Sequence, residues 1–342
     1  MKSDSDDENI APKKSSGWVI FLIIVLVILL VGAIVWWWWE NYVKMSPNSI
    51  PATTSENSTP TKDSWVRDVD IIVKNTTSTC TIKLDNNSLR MYYMKDGKIV
   101  FADSTDGKSF GDAQSTGVSE DQGKMISNPA VLKIKNADWI MIYEQAPQKT
   151  PGEKEEGPGP ENQRDLYLAN SADGKSFTKT GLAIDSSKQD NYFASVPDLV
   201  LLANNQIRMY YVCGGEAICS AISTDGKTWT KESGIRLGDK AVDPDVLLQT
   251  KNGKTKYLMY FSLLTGAGNQ LYKATSDDGL IWEKDEAVIS PTSSEYTVVD
   301  PDIVKIADNK YYMYFAEAKQ GSESSLGGGF NLYLAEMAGE IF

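Results

Sequence analysis

One short turn sequence recurs along this chain, and its repetition constrains the fold more than any other feature. The copies stand at 104–110 (STDGKSF), 171–177 (SADGKSF), 223–229 (STDGKTW) and, more loosely, 275–282 (TSDDGLIW). Strand-forming residues flank each copy, and Asp-Gly between such runs is typical of a tight β-hairpin turn. A turn that recurs with the same flanking strands indicates a repeat protein.

A second recurring run sets the register between repeats. It reads MYY at 91–93 and 209–211, MIY at 141–143, and MYF at 259–261 and 313–315. Each repeat then has an apolar first strand, this second strand, a third strand before the turn and a fourth after it. The last repeat lacks a fourth strand, which 65–74 would supply because it resembles 229–237. We therefore predict an all-β fold, a five-bladed β-propeller of four-stranded antiparallel blades closed by the N-terminal strand. A twisted open solenoid is the alternative.

The N-terminal part differs in composition from the repeats. Residues 18–39 are 22 consecutive apolar or aromatic residues, long enough to span a bilayer as a helix. Lys13 and Lys14 precede this segment and Lys44 follows it, which favours a cytoplasmic N-terminus and an extracytoplasmic propeller. We predict the following parts: a disordered cytoplasmic tail at 1–16, a transmembrane helix at 17–40, a Ser/Thr/Pro-rich linker at 41–63 and the propeller at 64–342.

Composition excludes several kinds of chemistry. The chain has no histidine, so Ser-His-Asp catalysis, Cys-His catalysis and histidine metal sites are ruled out. A net charge of −12 argues against a nucleic-acid partner. Cys213 and Cys219 could face each other across a hairpin as a disulfide, or be small buried apolar residues; Cys80 would stay free.

Acidic residues cluster where the first strands open. Because strands alternate in direction, first strands start on the face where second strands end, opposite to the Asp-Gly turns, which we interpret as structural. One equivalent position across the repeats holds Cys80, Ala130, Asp198, Asp245 and Asp302. The position two residues earlier holds Ser78, Asn128, Val196, Asp243 and Asp300. Glu144 and Glu317 end second strands on the same face.

Carboxylates crowded in one cleft push their pKa values apart, which is what acid/base chemistry on a glycosidic bond requires. The candidate catalytic residues are Asp198, Asp245, Asp302, Glu144 and Glu317. The candidate substrate-binding residues are Asp243, Asp300 and Asn128. No cofactor is required, although calcium held by Asp245 and Asp302 is another way to neutralise the cluster. The structural alternative is that these aspartates bond backbone N–H groups and fix the packing of the blades.

These motifs resemble those of the five-bladed propeller glycoside hydrolases, the superfamily of arabinanases, β-xylosidases, fructosidases and levansucrases. The resemblance covers about 65–342 and is carried by VDPD at 242–245 and 299–302, the aromatic second strands and the turns. It implies a carbohydrate substrate, an aspartate base or nucleophile, a second aspartate that tunes pKa values, and a glutamate acid at the channel mouth. Here Cys80 or Ala130 occupies the early-blade position of the usual aspartate, and Glu144 or Glu317 would have to be the acid. The alternative is a non-catalytic glycan- or protein-binding module.

Overall fold

The computed structural model describes residues 29, 31–33, 64–121, 123–135, 138–148, 159–266, 268–321 and 329–339. The chain divides into two compact units, 1–58 and 59–342. In the first unit, 29 and 31–33 are helical, and the rest of the predicted tail, membrane span and linker up to residue 63 lies outside the described residues. No helix in the described part is both long and apolar enough to cross a membrane.

The second unit is an all-β propeller of five antiparallel blades. Blade 1 contains β3 (Cys80–Lys83), β4 (Leu89–Lys95), β5 (Lys98–Ser104) and β6 (Gln114–Ser119). Blade 2 contains β7 (Lys124–Lys135), β8 (Asp138–Pro147), β9 (Asp165–Ser171) and β10 (Thr178–Ile184). Blade 3 contains β11 (Ala194–Leu201), β12 (Ile207–Cys213), β13 (Ala217–Ser223) and a short β14 (Thr230–Lys231).

Blades 4 and 5 complete the propeller. Blade 4 contains β15 (Ala241–Lys251), β16 (Lys254–Leu263), β17 (Gln270–Ser276) and β18 (Glu283–Ile289). Blade 5 contains β19 (Tyr296–Ala307), β20 (Lys310–Lys319) and β21 (Asn331–Ala338), with β1 (Val66–Arg67) and β2 (Val73–Lys74) sharing the outer position. The predicted five blades and the order of their strands are confirmed, and the outer strand of blade 5 is divided into two short strands.

The N-terminal strands close the ring as the sequence predicts. Val66 pairs with Glu336 in β21, and Val73 pairs with Leu332 further along the same strand. Blade 5 also contacts blade 1, where the Tyr314 hydroxyl donates to the Gly107 carbonyl at 2.7 Å. The propeller is therefore a closed ring and not an open solenoid.

The Asp-Gly turns are stabilised by their own side chains. In the third copy, Asp225 Oδ1 accepts the Lys227 and Thr228 N–H groups at 2.8 Å each, and Ser223 Oγ accepts the Gly226 N–H at 2.9 Å. Gly226 has a φ of +70°, and a Cβ there would lie 2.9 Å from Ile134 Cδ1. The turn therefore requires glycine both for its backbone conformation and for its close approach to the neighbouring blade.

The same turns fasten consecutive blades. The Tyr92 hydroxyl of blade 1 donates to the Gly174 carbonyl in the turn of blade 2 at 2.6 Å, and Tyr210 and Tyr314 bond the turns that follow them in the same way. In these three cases the aromatic residue after the turn packs edge-on against that tyrosine, as Phe177 does on Tyr92. In blade 5 this place is taken by Trp65, whose ring lies 5.7 Å from that of Tyr260. The structural interpretation of the turns is confirmed.

Of the described cysteines, two form a disulfide. Cys213 and Cys219 are bonded across the β12–β13 hairpin with their Cα atoms 5.8 Å apart. Cys80 is free and half-buried at the opening of β3. The disulfide alternative is therefore the one that the structure adopts.

Candidate functional site

The openings of all five first strands line one cavity. It is small, about 30 Å³, and its walls come from the predicted positions and the residues between them. The wall residues include Ser78, Cys80, Asn128, Ala130, Val196, Asp198, Asp243, Asp245 and Asp300. Nine of the ten predicted positions therefore line one cavity, and Asp302 is not among its wall residues.

Of the two equivalent positions on each first strand, the earlier one is called the outer position here. It has the same unusual backbone conformation in every blade. The φ angles are +50° at Ser78, +51° at Asn128, +42° at Val196, +54° at Asp243 and +55° at Asp300. In blades 2 to 5 a β-bulge follows this residue, since the pairing with the second strand skips it. Asn, Asp and Ser have short polar side chains and tolerate this region, whereas a β-branched residue such as Val196 is strained there.

The later of the two positions is the inner position, and its aspartates, Asp198, Asp245 and Asp302, connect neighbouring blades. Asp198 Oδ2 accepts the Val246 N–H of blade 4 at 2.8 Å. Asp302 Oδ1 accepts the Thr81 N–H of blade 1 at 3.0 Å. In between, Asp245 accepts the Ile303 N–H of blade 5. Each inner aspartate therefore bonds the backbone of the next first strand.

In blade 1 the inner position holds a cysteine, and its sulfur accepts the same kind of hydrogen bond. Cys80 Sγ accepts the Val131 N–H of blade 2 at 3.2 Å. Ala130, at the inner position of blade 2, has no side-chain acceptor. Cysteine thus replaces aspartate in the same structural role, although a thiol is a weaker acceptor. The hydroxyls of Thr79 and Thr81 add two further donors to Asp302 Oδ2, both at 2.7 Å.

Burial controls the ionisation of the inner carboxyls. Burial raises the pKa of Asp198 to about 7, against the opposing effect of its backbone hydrogen bonds. Burial, and then repulsion from Asp198 and Asp302, holds the pKa of Asp245 well above its usual range. The pKa of Asp302 is also raised by burial, in part offset by the Thr79 and Thr81 donors.

The outer aspartates form a direct pair. The carboxyls of Asp243 and Asp300 are close enough to hydrogen-bond to each other. Burial raises the pKa of Asp243 to about 6, and burial followed by repulsion from Asp243 raises the pKa of Asp300 further. Asp300 Oδ2 also accepts the hydroxyls of Thr77 and, at 2.9 Å, Ser78. One proton shared between the two carboxyls accounts for the contact.

Glu144 is fully buried beside the cavity and is already occupied by protein partners. Arg164 Nη1 donates to its Oε1 at 2.6 Å, and Asn128 Nδ2 donates to its Oε2 at 2.6 Å. The Ser195 hydroxyl donates to Oε2 as well. These donors occupy both carboxylate oxygens, so Glu144 is committed to protein partners and does not face the cavity with a free oxygen.

Glu317 has a different partner from a distant part of the chain. Arg67, in the ring-closing strand β1, donates to both of its carboxylate oxygens. The guanidinium lies 4.9 Å from the ring centroids of both Phe315 and Tyr333. Thr292 donates its N–H at 2.7 Å and its hydroxyl at 3.0 Å. Glu317 therefore holds the closing strand in place and is not one of the cavity wall residues.

The Asp243–Asp300 pair does not have the geometry of a glycosidase. Retaining enzymes place their two carboxyls about 5–5.5 Å apart and inverting enzymes about 6.5–9.5 Å apart, whereas Asp243 and Asp300 are in hydrogen-bond contact. Within the described residues, no group of three or more acidic or cysteine side chains is arranged to hold a metal ion.

Sequence reasoning found the carboxylates but missed their partners. Arg164, Arg67 and Ser195 were not singled out, although they decide what Glu144 and Glu317 can do. A usable signal was present: a glutamate at the end of a buried apolar strand requires a cation nearby. Arg164 comes from the segment just before β9 and Arg67 from the N-terminal strand, and sequence spacing does not predict either contact.

Comparison with known proteins supports the fold. No family model and no curated protein matches the sequence. An α-L-arabinofuranosidase from Lactobacillus brevis matches with a TM-score of 0.60 and 11% identity, over 78% of this chain and 91% of that chain. A glycosyl hydrolase from Bacteroides ovatus matches with a TM-score of 0.55 and 15% identity, over 82% of this chain and 96% of that chain.

A third structure, a β-fructofuranosidase from Bombyx mori, matches with a TM-score of 0.57 and 13% identity, over 80% of this chain and 62% of that chain. Identities this low establish a shared fold. The chain is a five-bladed propeller with the fold of these glycoside hydrolases, and the predicted resemblance is confirmed at that level.

Proposed function

We propose that the propeller binds carbohydrate at the channel mouth without hydrolysing it. The observation that carries the proposal is the commitment of the carboxylates to protein partners. The inner aspartates accept N–H groups of the next blade, and both glutamates are paired with arginine. A general acid must carry a proton that it can transfer to the leaving group, and neither glutamate is placed for that.

The cavity suits a small polyhydroxylated ligand. The cavity itself is only about 30 Å³, so a sugar would lie across its open mouth and reach the walls with its hydroxyl groups. The walls combine the carboxyls of Asp243 and Asp300, the amide of Asn128 and the apolar side chain of Val196. Amides and carboxyls can bond sugar hydroxyls, and an apolar side chain can pack on a ring face.

A glycan array probed with the full-length chain tests the proposal. We expect at least one glycan to bind and to be recovered uncleaved. Asp243→Asn with Asn128→Ala should weaken binding, because both residues line the cavity. Asp173→Ala, on an Asp-Gly turn at the other end of the blades, is the matched control and should not. Binding that survives the cavity variant unchanged would refute this site.

Glycoside hydrolysis is the second candidate, and one observation favours it. The raised pKa values of Asp198 and Asp243, about 7 and about 6, lie where acid/base catalysis operates near neutral pH. Release of reducing ends from an array glycan, lost in Asp245→Asn with Asp302→Asn while the variant remains folded, would establish hydrolysis in place of simple binding.

The proposal includes a location. Residues 18–39 would anchor the chain in a membrane with the N-terminus in the cytoplasm, and 41–63 would hold the propeller on the far side. The Cys213–Cys219 disulfide supports this arrangement, since disulfides persist in oxidising compartments. Protease added to intact cells should digest the propeller and spare the tail; a protected propeller would contradict the orientation.

A further inference from the structure

The disulfide-bonded hairpin lies at the channel end of blade 3. β12 and β13 pair in continuous register up to its tip, with Cys213 opposite Ala217 and Tyr211 opposite Cys219. The linked cysteines are only six residues apart. Cross-links that close short loops stabilise a fold least, and this hairpin is already held by its own hydrogen bonds. A role in global stability therefore explains the disulfide poorly.

One side of the hairpin tip supports the loop before β11. The Gly214 N–H donates to the carbonyls of both Asp190 and Phe193 at 3.1 Å. This loop leads directly into Ser195, which bonds Glu144, and Val196, which lines the cavity. The hairpin therefore sets the position of the first cavity wall through two backbone hydrogen bonds.

The other side supports the segment before β15. The Lys240 N–H donates to the Glu216 carbonyl at 3.1 Å, and the Lys240 carbonyl accepts the Leu264 N–H at 3.0 Å. Lys240 has a φ of +69°, so this segment is held in a conformation that it would not adopt alone. It continues through β15 to Asp243, a second cavity wall.

The residues of the hairpin tip do not by themselves fix one backbone conformation. Gly214 and Gly215 are adjacent and have φ angles of +64° and +86°. Glycine has the largest conformational freedom of any residue, and two in succession at a hairpin tip would sample many backbone conformations. A covalent link immediately beside them removes that freedom.

We infer that the Cys213–Cys219 disulfide is a positioning element that holds two walls of the cavity, at Val196 and at Asp243, through the hairpin tip. It acts on the cavity and not on the fold as a whole. Only the effect on ligand affinity rests on the proposed carbohydrate binding. The effect on the walls stands apart from it.

Hydrogen exchange of the full-length chain with Cys213→Ala and Cys219→Ala tests the inference. We expect exchange in 188–196 and 238–243 to accelerate by about tenfold or more, because local opening there loses its restraint. The blades distant from the hairpin should exchange as before, and the unfolding midpoint should move little. Glu216→Ala keeps the disulfide and removes only an exposed side chain, so it should match the wild type.

Reduction of the wild type with dithiothreitol provides the same comparison without a change of volume. Both sulfurs become thiols as dithiothreitol is oxidised to its cyclic disulfide, and the same two segments should loosen. Unchanged exchange in both segments would overturn the inference, and so would faster exchange in all five blades, which would mark a global staple.

Ligand affinity is the second readout. For any glycan that the wild type binds, the double variant should bind several-fold more weakly, whereas Glu216→Ala should not differ. Equal affinity despite loosened walls would overturn the link to binding. If the wild type binds no glycan, the proposed function fails, and the exchange experiment still decides the role of the disulfide.

Discussion

At one end of the blades, Asp225 accepts two backbone N–H groups within its own turn; at the other end, Asp198 accepts a backbone N–H from the next blade. The hydrogen bonds from Thr228 and Lys227 lower the pKa of Asp225 to about 2. Burial raises the pKa of Asp198 to about 7 although its hydrogen bonds act in the opposite direction. An aspartate that accepts backbone N–H groups therefore has a lowered pKa in the turn and a raised pKa in the channel.

The difference shows that solvation outweighs hydrogen bonding at the channel. Asp225 is exposed, so water solvates its charge and the N–H donors add to that. Asp198 loses most of its hydration and also faces the like charge of Asp302. A carboxyl in the channel is therefore most stable when protonated or bound to a donor, and a carboxylate in a turn is most stable when charged.

The largest expected effect comes from removing an acceptor at each end. Asp302 is 2% exposed and accepts three hydrogen bonds, so Asp302→Ala leaves buried donors without partners and should destabilise the propeller by about 3 kcal/mol. Asp225→Ala releases its donors to water and should cost about 1 kcal/mol. Urea unfolding of both variants measures the difference. Asp302→Asn, which keeps an acceptor oxygen, is the control, and equal losses at both ends would refute the comparison.

The second effect is a pH dependence of opposite sign at the two ends. A carboxyl whose folded pKa is raised releases its proton on unfolding, so its stabilisation is present below about pH 4 and is lost as pH rises through about 6 for Asp243 and 7 for Asp198. Over that range the free energy of unfolding should fall by at most about 1.4 kcal/mol per pH unit for each such carboxyl. Asp198→Asn should flatten the decline.

Asp225→Asn provides the matched test at the other end. The stabilisation from Asp225 is present above its ordinary pKa of 3.8 and is lost as pH falls towards about 2. The variant should therefore differ from the wild type at neutral pH and converge with it in strong acid, while its slope between pH 4 and 7 stays unchanged. Denaturation midpoints across pH measure both slopes, and a flattened neutral slope in Asp225→Asn would contradict the assignment.

The smallest expected effect lies within the channel itself. Val196 is the β-branched member of a ring in which the other residues tolerate a positive φ, so Val196→Asn should stabilise the propeller by about 1 kcal/mol. Thermal unfolding measures the gain. Val200→Asn, at a buried strand position, should destabilise instead. A loss of stability in Val196→Asn would show that apolar packing at the mouth outweighs the backbone strain.

Much of the fold could be predicted from the sequence, because a repeat carries the same local chemistry several times. The Asp-Gly turns predict the hairpins, the Met-Tyr strands set the register, and the unmatched fourth strand places Trp65 in the last blade. These features depend on neighbours in sequence, such as the Ser223, Asp225 and Gly226 contacts within one turn. The convergence of the first-strand openings follows from strand direction alone.

Only the tertiary structure decided what the site residues do. Glu144 and Glu317 resemble proton donors by position, but Arg164 lies 20 residues from the first and Arg67 lies 250 residues from the second. The inner aspartates bond N–H groups of the following blade, and the Asp243–Asp300 contact joins two blades. The repeated residues determine the strands and turns within each blade. The charge state of the channel depends on desolvation and on partners from other blades, which exist only once the ring has closed.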